Sequence, residues 1–299
     1  MNNSRLSNIL IGHNCSNLSS CIDEALESKA KCIQIFTRNP TSFALYPDND
    51  TLLSNIKTLS TQLNIKIVIH GSFLINLCKP SNQVTQMKKL LQRDLCISKK
   101  LGAIGVIIHM GHNVDKKLSN EEALKLYVQN IDDILEVTPS DSILILETGA
   151  GCGNEIGTRL NDLGKIRLNS KYKERIRFCI DTCHIFSAGY DISNSNIVES
   201  LEAYIDLTLG WENVITCHLN DSKTNLNSKK DRHQDISYGL ISKGISYNDD
   251  IITEDTITPF VQFIKYFIKR KIPIILETPC EFLSYSEQLN LIKLLLENN

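Results

Sequence analysis

The stretch Ile143-Leu144-Ile145-Leu146-Glu147-Thr148-Gly149 (ILILETG, 143–149) decides the fold. Consecutive apolar residues with no polar alternation describe a strand buried on both faces, as in a parallel sheet. The run closes on a carboxylate. The same form recurs toward the amino end as GVIIHMG (105–111), KIVIHG (66–71), CIQIFT (32–37) and NILIG (8–12). Toward the carboxyl end it recurs as RFCIDT (177–182), VITCHLN (214–220) and PIILETP (273–279). Between these runs, residues 83–101, 120–137, 196–208, 258–270 and 282–297 space apolar side chains three and four apart, the helical period. Asp48 to Asp50 and Ser119 to Asn120 offer helix starts, and Gly102 a stop. Eight β runs alternating with helices predict an α/β fold, a single (β/α)8 TIM barrel over residues 1–299. A doubly wound open sheet is the competing fold, but it would not gather eight strand ends around one point.

Side chains of metal-binding type close or directly follow these runs: His70, His109, Glu147, Asp181, His184, His218 and Glu277. Asp231 and His233 join them from a polar loop over roughly 220–256, a length that favours a functional segment. Five of the seven histidines belong to this set. In a TIM barrel the active site lies at the carboxyl ends of the strands, where these residues fall. Imidazole and carboxylate are ligands of zinc and its neighbours, and nine are too many for one ion. The expectation is a cluster of two or three metals doing hydrolytic chemistry. Glu147, on a middle strand, has two oxygens and can bridge two cations about 3.5–4 Å apart, the spacing used for in-line phosphoryl displacement. His13 and His112 fit the pattern less well and are read as non-ligands.

Composition narrows the remainder. The chain has 299 residues and 42% hydrophobic content, enough for one large core. A net charge of −2 gives no overall basic signal, so any nucleic-acid binding rests on local cationic patches and on metals. The first ten residues do not read as a secretion signal, and no stretch reaches the length of a membrane span. A cytoplasmic location is expected, with nuclear or virion-packaged alternatives if the source is viral. The ten cysteines contain no CxxC spacing, and those inside apolar runs read as buried thiols. Cys15 and Cys21 flank a polar loop and could bridge if oxidised.

The blocks HGSFLINL (70–77), IIHMG (107–111), LETGAGCG (146–153), DTCHIFSAGYD (181–191), HLNDSK (218–223), DRH (231–233) and ILETP (275–279) run nearly end to end. In this order they make the chain resemble the endonuclease IV family of apurinic/apyrimidinic (AP) endonucleases. The resemblance implies three zinc ions, with Mn2+ or another divalent ion possible at one position. It implies His70, His109 and Glu147 at the first. At the second it implies Glu147, Asp181, His218 and Glu277, and at the third His184, Asp231 and His233. Glu147, Glu277 and Asp181 would be catalytic. The implied reaction is hydrolysis 5′ to an abasic site in double-stranded DNA, leaving a 3′-hydroxyl and a 5′-deoxyribose phosphate, with 3′-end trimming. A repair polymerase and ligase would be functional partners, and a monomer is expected. The abundance of Ile, Asn and Lys suits an AT-rich source such as a large DNA virus.

An abasic nucleotide has lost its stacking partner, so extruding it costs less than extruding a normal one. Phe73 and Leu74 are candidate wedges for the minor groove. Asn220, Lys223 and Arg232, with Lys229 and Lys230, are candidate phosphate contacts. The chain departs from the family at His13, displaced by one residue, and at Thr41, Thr148, Cys152 and Ser237, where a glycine usually follows DRH. None of these is a metal ligand. A sugar isomerase or epimerase on the same barrel is the competing function, but it would leave Asp231, His233 and the Phe-Leu segment without a task. A non-catalytic binding module would leave all nine ligands unused.

Overall fold

The computed structural model describes residues 9–114, 118–242 and 258–298. Eight parallel strands close a barrel: β1 (Ile11–Asn14), β2 (Cys32–Ile35), β3 (Lys66–His70), β4 (Val106–Ile108), β5 (Leu144–Glu147), β6 (Ile176–Asp181), β7 (Val214–His218) and, last in the chain, β10 (Ile274–Leu276). Each neighbours the next along the chain, and β10 closes the ring between β7 and β1. A two-stranded antiparallel hairpin, β8 (Asp221–Ser222) with β9 (His233–Gln234), follows β7 directly. The expected eight-stranded α/β barrel is therefore the observed architecture. The first strand lies later than the 8–12 reading, and part of the 220–256 loop, residues 243–256, falls outside the described residues.

Helices α1 (Cys21–Ser28), α2 (Asp50–Gln62), α3 (Thr85–Leu101), α4 (Asn120–Glu136), α5 (Leu160–Asn169), α6 (Thr182–Ala188), α7 (Ser195–Thr208), α8 (Thr258–Lys269) and α9 (Tyr285–Asn298) connect the strands. Their ends follow local chemistry. Asn49 caps α2 by accepting from Leu52 N. Ser119 and Glu122 form a reciprocal capping box on α4. Gly102 ends α3 at φ 66°, a conformation glycine adopts without Cβ strain. Among the described residues no helix is long and apolar enough to cross a membrane.

The strands carry two cores of opposite parity. Ile33, Ile35, Ile67, Ile69, Val106, Ile108, Leu144, Leu146, Phe178, Ile180, Ile274 and Leu276 pack outward with the helices. Cys32, Val68, Ile107, Ile145, Cys179 and Ile275 form a separate buried cluster inside the barrel. Because side chains alternate along a strand, the residue two positions beyond each interior residue also faces inward. That rule decides the site.

Candidate metal centre

Two residues beyond Val68, Ile107, Ile145, Cys179 and Ile275 stand His70, His109, Glu147, Asp181 and Glu277. Parity thus turns all five toward the barrel axis, one layer above the interior core. His218 follows buried Thr216 by the same step, and the ladder pairs it directly with Asp181. Asp181 is also the N-cap of α6, accepting from His184 N at 2.8 Å, so helix initiation sets His184 beside it. The hairpin register Ser222↔His233 folds His233 back beside the end of β7.

The nine donors converge in three groups, each with its donor atoms within 4.8 Å of one another. In the first, Glu147 Oε2 lies 3.7 Å from both His70 Nε2 and His109 Nε2. In the second, His218 Nδ1 lies 2.7 Å from Glu147 Oε1, 3.0 Å from Glu277 Oε2 and 3.9 Å from Asp181 Oδ2. In the third, Asp231 sets one oxygen 3.2 Å from His184 Nε2 and the other 3.1 Å from His233 Nε2. Glu147 uses a different oxygen toward each of the first two groups, the disposition of a bridging carboxylate.

The chemistry of these donors fits cations. Glu147 Oε2, His184 Nε2 and His233 Nε2 are buried with no hydrogen-bond partner, each close to donors of its own group. Such atoms cost several kcal/mol unless something compensates them, and a shared cation would do so. In the metal-free protein, protons partly take that place. Burial opposes charge on His218, but Cys179, Glu277 and Glu147 raise its pKa well above the usual histidine range. Burial also opposes charge on His233, and Asp181 and Asp231 outweigh it, raising the pKa to about 9. Burial dominates at His109 and lowers it to about 4. Glu147 is held well below the carboxylate range: burial alone would raise it, and His109 and His218 reverse the sign.

The other expected residues divide. Phe73 is 53% exposed, and its ring stands edge-on over His70 at 5.3 Å and His109 at 5.6 Å. Leu74 beside it is half-buried. Lys223 and Arg232 are exposed, although Lys223 is paired with Glu281 at 2.6 Å. Asn220 is a correction. It is fully buried, donating from Nδ2 to Asp181 Oδ2 at 2.7 Å and accepting from Glu277 N at 2.9 Å. It holds two donors of the second group and presents nothing to a phosphate. His13 lies on the outward parity of β1, bonded to Ser28 Oγ and stacked on Tyr285 at 4.4 Å, in keeping with a non-ligand. His112 is exposed and belongs to none of the donor groups. Cys15 and Cys21 are both buried free thiols, with Cys15 Sγ donating to the Cys21 carbonyl at 3.7 Å.

Two contributors, Cys183 and Gln34, escaped the sequence reading, and a third, Cys152, stood out there only as a departure from the family. Cys152 Sγ accepts from Asp231 N at 3.3 Å. Cys183 falls within reach of Asp181 and His233 as a further donor. Gln34 stands two residues past interior Cys32 and touches both His218 and Glu277. The parity rule alone would have found Gln34.

A TIM barrel whose strand ends gather clustered imidazole and carboxylate donors defines the class of metal-binding barrel enzymes. A family model described as a xylose isomerase-like TIM barrel, that of AP endonuclease family 2, matches residues 22–281. A putative endonuclease 4 from Acanthamoeba polyphaga mimivirus is 38% identical over 243 residues, covering 76% of this chain and 73% of the relative. The crystal structure of endonuclease IV from Thermus thermophilus superposes with a TM-score of 0.78 at 23% identity, over 97% of this chain and 99% of that one. A D-tagatose 3-epimerase-like protein shares the fold at a TM-score of 0.71 and 15% identity, over 97% of this chain and 98% of that one. The chain belongs to the endonuclease IV family of AP endonucleases, with a viral relative among its members.

Proposed function

We propose that this chain is a zinc-dependent AP endonuclease of base excision DNA repair. It hydrolyses the phosphodiester 5′ to an abasic site in double-stranded DNA, leaves a 3′-hydroxyl and a 5′-deoxyribose phosphate, and trims 3′ ends. The observation that carries this reading is the convergence of nine donors into three groups, two of which share Glu147. His70, His109 and Glu147 would hold one ion, Glu147, Asp181, His218 and Glu277 a second, and His184, Asp231 and His233 a third. When bound, such ions supply a water activated near neutral pH and positive charge for the attacked phosphate.

The chain's own groups do the positioning. Asn220 keeps Asp181 and Glu277 in fixed relation through its amide. Asp235 accepts from Cys280 N, Phe282 N and Leu283 N, tying the loop beyond Glu277 to the segment that carries His233. Phe73 stands edge-on against the rings of His70 and His109, where an apolar side chain could enter a minor groove opened at the lesion. Lys223 and Arg232 are exposed cations suited to the flanking phosphates. We read the chain as one barrel domain acting as a monomer, with a polymerase and a ligase completing the repair.

The test is incision of a duplex carrying one stable abasic analogue, before and after prolonged chelation, with zinc added back. A single cut 5′ to the lesion, lost with the metal and restored by zinc, is the expected result. An intact duplex exposed to fully metallated protein would reject the nuclease reading in favour of isomerase chemistry on a sugar.

A further inference from the structure

We propose that Gln34 is a positioning residue that selects Nδ1 of His218 as the metal-ligating atom and holds Glu277 in register with it. The proposal rests on the metal reading of the second donor group given above.

Gln34 lies on β2, which supplies none of the nine donors, yet parity puts it in the same inward layer. It is fully buried. Its amide orientation follows from its partners. Nε2 lies 2.5 Å from Glu277 Oε1 and 3.3 Å from Asn14 Oδ1, and a carboxylate oxygen can only accept. Oε1 therefore faces His218 Nε2, at 2.8 Å, and must accept from it. Nε2 of His218 thus carries a proton and is occupied. The lone pair left for a cation is on Nδ1, the atom beside Glu147 Oε1 and Glu277 Oε2. The other arm engages Oε1 of Glu277 and leaves Oε2 toward the group.

What singles out Gln34 is the contrast with three of the other four histidines of the donor set. His70 donates from Nδ1 to the Gly71 carbonyl, His184 from Nδ1 to the Thr148 carbonyl, and His233 from Nδ1 to the Glu277 carbonyl. Their tautomers are set by backbone, which substitution does not remove. His218 has the opposite tautomer, and the acceptor that sets it is a side chain. Partners behind a ligand fix its ring and tautomer, and losing one costs about 10- to 100-fold in metal affinity or activity.

Two variants separate the arms. Gln34→Met keeps the volume and removes both hydrogen bonds. Gln34→Glu keeps an acceptor for His218 but sets a carboxylate against Glu277. Zinc affinity of the full chain, measured by chelator competition with metal analysis, is expected to fall about 10- to 100-fold for one ion per chain in Gln34→Met, with the others retained. Gln34→Glu should lose affinity as well, while long-range 1H–15N spectra still show His218 protonated at Nε2. Circular dichroism checks that each variant is folded. The same spectra of the zinc-loaded wild type decide the matter even if Gln34→Met fails to fold: metal on His218 Nδ1 supports the proposal, and metal on Nε2 overturns it. A folded Gln34→Met with wild-type zinc affinity overturns it too. If the wild type binds no zinc at all, the metal reading has failed instead.

Discussion

At the level of single residues, the site trades protons for cations. His233 illustrates the sign. An unperturbed histidine titrates near 6.5. Burial lowers that value in the metal-free fold, and Asp181 and Asp231 outweigh burial and raise it to about 9. The paired imidazolium therefore stabilises the metal-free fold fully below pH 6.5, and this contribution is lost as pH rises through about 9. Comparing melting temperatures of metal-stripped wild type and His233→Gln should show a gap that closes over that window. A gap that widens with pH would contradict the pairing. Zinc binding needs the neutral ring, so loading should release protons and weaken as pH falls; calorimetry in buffers of different ionisation enthalpy would count them. Most of the donors were legible because a His, Asp or Glu ending an apolar run is conspicuous. Gln34 was not, since a neutral amide in CIQIFT looks like any polar residue of a strand. Asn220 was misread because a lysine stands close to it in sequence, whereas its neighbours in space are Asp181 and Glu277.

Among elements, the strands were readable, whereas α1, α2, α5 and α6 had no span in the sequence reading beyond the start offered by Asp48 to Asp50. The seven residues of α6 are almost all buried, so the segment has no polar face to betray a helical period. What starts it is Asp181 acting as an N-cap, a role hidden behind its place among the donors. The last helix begins at Tyr285 rather than 282 because Asp235 holds the backbone of Cys280, Phe282 and Leu283 in a loop. The hairpin of β8 and β9 is too short for any periodicity. Just beyond it, Ser237 sits at φ 79°, left-handed backbone that disfavours a Cβ, and its buried hydroxyl has no partner. This is the position where a glycine usually follows DRH. Ser237→Gly should stabilise the protein by about 1 kcal/mol, seen as a melting temperature higher by roughly 2 °C, without changing zinc content. A lower melting temperature would mean that the strain is not there.

At the scale of the whole molecule, the exposed aromatics are unevenly placed. Phe43, Tyr46, Phe73, Tyr238 and Phe282 all lie on loops at the end of the barrel that holds the donors. The remaining exposed aromatic among the described residues, Tyr204, lies on α7. A rim of aromatic side chains with Lys223 and Arg232 suits a nucleic-acid face whose chain as a whole is slightly acidic. Phe73→Ala should weaken binding to an abasic duplex about tenfold, roughly 1.4 kcal/mol, while metal content stays at the wild-type level. Unchanged affinity would remove Phe73 from the interface, and lost metal would make it a structural cover for His70 and His109.

The sequence by itself determined the barrel and the inventory of donors. Apolar runs alternating with helices call for a parallel sheet covered on both faces, and donors at the ends of most runs favour a closed barrel, which gathers them around one axis, over an open doubly wound sheet. Tertiary structure gave the physical reason why those donors divide as the family resemblance implied, and it alone decided which nitrogen is free on His70, His184, His218 and His233. Strand parity and ladder register set Asp181 against His218, a hairpin returned His233 to them, and Gln34 on a donorless strand met both His218 and Glu277. The reason is physical: apolar burial is read along the chain, whereas hydrogen-bond partners 243 residues apart, such as Gln34 and Glu277, come together only when the ring of strands closes.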